Sequence, residues 1–188
     1  MNMIVRPVRA ALVTLIGTLT LIASLLVAAP SAEAAYCGQY WGSLAKSSGT
    51  TMTSAQITNV RAGRHTCYDR LVIDLNGKVK GYSVKYVPAV YTNGAGFKMP
   101  LAGAADIEIV VQAPAYTLAG RPTYVPPSTT NMVNVTGWTT FRQVAWGYSF
   151  EGNTIIGLGV RARLPFRVFV LAGPGTGSRL VIDVGHRW

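Results

Sequence analysis

The sequence predicts an all-β chain: an antiparallel β-sandwich of about eight strands with a disulfide-pinned N-terminal arm. Three observations carry that reading. Short β-branched and aromatic runs recur along residues 57–188, the spacing of a sandwich or barrel. Two of them, Tyr82-Ser83-Val84-Lys85-Tyr86 and Ile107-Glu108-Ile109-Val110-Val111-Gln112, alternate so that one face can be buried and the other wetted. No extended window after residue 34 keeps a helical period of 3.6.

Residues 1–34 read as a cleavable signal peptide. Arg6 and Arg9 precede an apolar run over 11–27, then Pro30 and Ala32-Glu33-Ala34, the order of a secretory leader cut after Ala34. An uncleaved anchor helix is the alternative, and N-terminal sequencing of secreted protein separates the two. A lipoprotein is excluded because Tyr36, not a small residue, precedes Cys37. Cleavage removes Arg6, Arg9 and Glu33, so the 17 basic and 7 acidic residues of the full chain become 15 and 6, a net charge of about +9. The remainder is long enough for one domain with a single core.

Residues 35–56 form the arm, rich in Ser, Thr and Gly, with Tyr40 and Trp41 close to Cys37. Cys37 and Cys67 are the two cysteines of the chain, and both fall in the exported part, where an oxidising environment lets them pair. Their bridge would tie the arm to the first core strands and contribute about 3–4 kcal/mol on a loop-entropy basis. Two free thiols are the alternative.

In residues 57–188 strands are expected over 57–62, 68–75, 81–87, 106–113, 132–135, 154–160, 166–171 and 180–184. Asn76-Gly77 suits the positive φ angles of a tight type I′ hairpin between the second and third of these. Pro122, Pro126 and Pro127 make 118–131 a long surface loop, and 139–146 is given a short turn of helix. Asp69-Arg70-Leu71-Val72-Ile73-Asp74-Leu75 recurs as Ser178-Arg179-Leu180-Val181-Ile182-Asp183-Val184, which predicts two strands in equivalent places in the fold.

Several of these segments have a familiar look. Val60-Arg61-Ala62-Gly63-Arg64-His65 with the Asp69-to-Asp74 strand resembles the opening of the AMIN-like domain of secreted actinobacterial proteins. Gly81-Tyr82-Ser83-Val84-Lys85-Tyr86-Val87, Phe150-Glu151-Gly152, Pro165-Phe166-Arg167-Val168-Phe169 and Arg179-Leu180-Val181-Ile182-Asp183-Val184 follow in the family's order. The resemblance implies a β-sandwich related to the AMIN domain, which targets cell-wall amidases and secretins to peptidoglycan. No amidase or secretin region accompanies it here, and the Cys37 arm departs from the family pattern.

The residues argue against hydrolysis. A catalytic zinc takes several His, Asp or Glu ligands, and His65 and His186 are the two histidines of the chain, so no metal or other cofactor is expected. Neither histidine has a nucleophile context such as G-x-S-x-G. Asp74 and Asp183 lie inside strands, where pairing with Arg70, Arg167 or Arg179 avoids an uncompensated carboxylate. Asp69, Arg70, Asp74, Glu151, Arg167, Arg179 and Asp183 are therefore given structural roles, with Glu151 expected to be buried and satisfied by an arginine or by backbone donors.

Ligand binding falls to Arg61, Arg64 and His65 among the basic groups, and to Tyr116 and Tyr124 on the proline-rich loop. The positive field attracts polyanions without specifying one, and no specific nucleic acid is expected. The expected chain is thus a secreted or cell-wall-associated, non-catalytic module. Its partner is a cell-wall glycan, peptidoglycan above all, or an anionic wall polymer, with no membrane contact after signal cleavage. The alternative is a secreted protein-interaction domain, such as an enzyme inhibitor, that meets a secreted protein through residues 118–131 and the arm.

Overall fold

Residues 36–38 and 40–188 are described by a computed structural model, and the predicted signal segment with its cleavage point lies outside them. After a 3-10 turn at Tyr36–Gly38 the described residues form eleven strands: β1 (Lys46–Thr50), β2 (Ile57–Arg64), β3 (Tyr68–Leu75), β4 (Gly81–Val87), β5 (Val90–Tyr91), β6 (Lys98–Met99), β7 (Ala105–Val111), β8 (Phe141–Phe150), β9 (Asn153–Val160), β10 (Phe166–Ala172) and β11 (Ser178–Gly185). All pairings are antiparallel. A five-stranded sheet runs β1-β4-β7-β9-β8, a four-stranded sheet runs β10-β11-β3-β2, and β5 pairs with β6.

Alternation sets which faces meet. Leu71, Ile73, Leu180 and Ile182 of the smaller sheet pack in one cluster with Val84, Ile107, Ile109, Ile156 and Leu158 of the larger. The period of two puts every second side chain of each strand on that shared face. The expected all-β sandwich is what forms, with Cys37 and Cys67 joined and their Cα atoms 6.1 Å apart. The arm does more than strap the domain, because its residues 46–50 pair with β4 as an edge strand.

Four local expectations are corrected. Asn76-Gly77 is not a hairpin: β3 and β4 belong to different sheets, and the chain crosses between them there. Asn76 instead exchanges backbone and side-chain bonds with Gln56, and a Cβ on Gly77 would come within 2.8 Å of the Ala55 Cβ. The type I′ position is Glu151-Gly152, with φ of 47° and 76° between the paired residues Phe150 and Asn153. Glu151 is accordingly exposed at a turn tip rather than buried. Finally, 139–146 contains no helix and leads into β8, whereas 132–135 forms no strand and lies against β8 through the Met132 N–H, which donates to the Val144 carbonyl at 2.8 Å.

Candidate functional site

The repeated motif builds the centre of the smaller sheet. β3 and β11 are direct neighbours, and their register sets Arg70 opposite Asp183, Val72 opposite Val181 and Asp74 opposite Arg179. Arg-Leu-Val-Ile-Asp run antiparallel against its own copy places each arginine across from the other's aspartate. The even-numbered positions of β3 and the odd-numbered positions of β11 share the face away from the core.

The central carboxylate on this outer face is Asp183, fully buried. Arg70 donates to both its oxygens, Nε at 2.6 Å and Nη2 at 2.8 Å, and Arg167 from β10 donates through Nε at 2.8 Å. The hydrogen bonds to Asp183 hold the Arg70 guanidinium above its ordinary pKa. Two guanidiniums on one carboxylate leave an excess positive charge at the surface. Asp74 takes Arg61 instead, at 2.9 and 3.1 Å, while Arg179 donates to the Ala172 carbonyl and pairs with neither aspartate.

Aromatic rings clad the pair. Arg70 lies over Tyr68 and Phe169, with its guanidinium carbon 5.1 and 5.5 Å from their centroids, and Arg167 lies over Trp41 at 4.4 Å and Phe169 at 4.9 Å. Tyr68 receives the edge of Trp41 at 5.6 Å and stacks with His65 at 4.5 Å. Guanidinium-on-ring contacts of this kind are worth roughly 0.5–2 kcal/mol each. Trp41 reaches this face because the disulfide, the Phe166 N–H bond to the Gly42 carbonyl and the Arg163 bonds to Ser43 hold the arm down.

The sequence-derived ligand residues do not form one site. Arg61 and His65 lie beside this cluster on β2 and its turn, whereas Arg64, exposed at the end of β2, is set opposite Asp69 and so on the other face of the sheet. Tyr116 and Tyr124 are half-buried elsewhere: the Tyr116 hydroxyl accepts the Gly152 N–H at 3.0 Å, and the Tyr124 ring meets Trp146 edge-on at 5.6 Å. They line one shallow apolar hollow of about 350 Å³. Trp41, Tyr68 and Phe169 were not singled out as ligand-facing, since nothing local in the sequence indicates that the arm folds back over β10.

Asp69 and His186 form a second buried charged site. Asp69 accepts the Thr140 and Phe141 N–H groups at 2.7 and 2.9 Å and lies 3.2 Å from His186 Nε2. The Thr140 hydroxyl is turned to the Gly185 carbonyl, so this set ties β8 to the end of β11 instead of aligning a nucleophile. Among the described residues no group of three His, Cys, Asp or Glu side chains is placed to hold a metal, and no helix is long and apolar enough to cross a membrane.

No curated protein and no solved structure matches the chain. A family model, that of the AMIN-like domain, matches residues 55–186, which includes every strand except β1. That match spans well over half of the chain: the chain belongs to the AMIN-like domain family.

Proposed function

We propose that this protein is a secreted, non-catalytic module that binds peptidoglycan or associated anionic wall polymers through the outer face of its four-stranded sheet. AMIN-like domains are peptidoglycan-related binding modules of extracellular proteins, generally without catalysis, and that membership supports the coarse reading. The observation that carries the finer one is the cluster of Arg70 and Arg167 against Trp41, Tyr68 and Phe169. Guanidiniums recognise carboxylate and phosphate groups, and flat rings take the apolar faces of sugars. Arg61, on the same face, and His65, stacked on Tyr68, extend this surface. A net charge of +10 on the full chain raises the local concentration of polyanions in a salt-dependent way.

Co-sedimentation with purified cell walls across a salt series tests this reading. The protein is expected in the pellet at low salt and released as salt rises, with Trp41→Ala and Arg61→Ala each weakening retention severalfold. Failure to pellet at low salt would overturn it. Recovery of a stoichiometric protein partner from culture supernatant, without wall retention, would favour the protein-interaction alternative through residues 118–131.

A further inference from the structure

A second site stands apart from that face. Four of the six acids of the described residues have a partner: Asp69 meets His186, Asp74 meets Arg61, Glu108 meets Lys85 and Asp183 meets two arginines. Glu151 is exposed at a turn tip. Asp106 on β7 is the exception, half-buried and without a salt bridge or hydrogen bond among the described residues. Burial pushes its carboxyl above the ordinary pKa, and the charge of Lys98 only partly offsets this. A half-buried carboxylate with no direct partner leaves its oxygens open to a donor from outside the fold.

Asp106 lines a hollow of about 540 Å³ whose other charged group is Arg163. Arg163 is held in place: its Nε and Nη2 donate to the Ser43 hydroxyl and carbonyl, both at 3.1 Å, and its guanidinium lies 4.9 Å from the Tyr86 centroid. Tyr86 is fixed in turn, its hydroxyl bonding both the Leu164 carbonyl and the Leu164 N–H at 2.8 Å. Gly103, also in the lining, sits so close to β9 that a Cβ there would run into the Val160 carbonyl oxygen. Leu101 and Pro88 add apolar surface to the same hollow.

A simple cation would meet Arg163 and a simple anion would meet Asp106, so a ligand bearing both signs is the one that uses both groups. We propose that this hollow binds a small zwitterion of the amino-acid or dipeptide class, with its ammonium at Asp106 and its carboxylate at Arg163. Asp106 has no part in the wall-binding face, whereas Arg163 also anchors the arm that carries Trp41, so Asp106→Asn is the variant that separates the two sites.

Titration of the isotope-labelled full protein with glycine, lysine and alanyl-alanine, followed through backbone amide shifts, tests it. Saturable shifts around Asp106 and Arg163 are expected with at least one of the three. Blocking that probe's amine by acetylation or its carboxylate by amidation should weaken binding by about tenfold or more, the scale of one lost charge-assisted contact. Asp106→Asn and Arg163→Gln should each do the same. Asp106→Asn removes a group the fold disfavours when charged, so it stays folded and keeps the test decisive if Arg163→Gln does not. Absence of saturation with all three zwitterions, or equal binding of free and blocked forms, would overturn the proposal.

Discussion

Arg70 and Asp183 face each other directly across β3 and β11 in a two-pronged ion pair, and Arg179 and Asp74 face each other at the mirror-related position without pairing. A symmetric register thus carries an asymmetric surface. The difference comes from the flanking strands: β10 brings Arg167 onto Asp183, and β2 brings Arg61 onto Asp74. The aromatic cladding is gathered on the Arg70 side alone.

Asp183→Asn should therefore be costly. Two guanidiniums would lose the charge that holds them, and breaking such a buried pair typically costs about 3–5 kcal/mol. Arg61→Ala, which removes a half-exposed partner of a half-buried acid, should cost about 1 kcal/mol or less. Denaturant unfolding of the two variants reads the contrast, and equal losses would show that Asp183 is not the keystone.

Glu151→Asn should stabilise the protein. Glutamate pays a conformational penalty at a φ of 47°, and asparagine before glycine suits both positions of a type I′ turn. A gain of about 0.5–1 kcal/mol in thermal or denaturant unfolding is expected. A drop in stability would mean that the Glu151 carboxylate has a role in the fold after all.

Reducing the Cys37–Cys67 bridge, which closes a sequence separation of 30 residues, should lower stability by about 3–4 kcal/mol. Melting with and without reductant measures it. Trp41 fluorescence reports whether the arm leaves Arg167, and wall retention should fall with it.

Tyr82, Tyr86 and Tyr124 all have hydroxyls that burial holds above their ordinary pKa of 10.0. Their neutral forms are favoured in the fold, so their contribution to stability is complete below pH about 10 and is lost as pH rises through the folded values. Unfolding free energies measured from neutral to strongly alkaline pH should fall over that range, with phenolate absorbance rising later in the folded protein than in the unfolded chain.

How much of this was legible in the sequence follows from how local each signal is. β4 and β7 alternate cleanly because one face of each is covered, and β3 and β11 announce themselves by their shared motif. β8 was missed because bulges between Phe141 and Gln143 and between Trp146 and Ser149 break its alternation, and four consecutive residues from Val144 to Gly147 are buried. β1 is polar and largely exposed, so no hydrophobic pattern marks it. Of the arginines the sequence offers these acids, Arg70, Arg167 and Arg179, Asp183 takes the first two, while Asp74 takes Arg61, because the partner depends on which strand lies alongside. The ring cluster was invisible because Trp41 and Arg167 are brought together only by the return of the arm across the sheet.

The place of β11 has a consequence in time. It is the last strand in chain order, yet it lies between β10 and β3, inside its sheet, and carries the carboxylate to which both neighbouring arginines bind. Nothing synthesised earlier can fill that slot, so the smaller sheet has a gap at its middle until residue 185 is available. Completion of the sheet is thereby deferred until β11 follows β10 out, and loss of residues 178–185 would remove its centre, not its fringe.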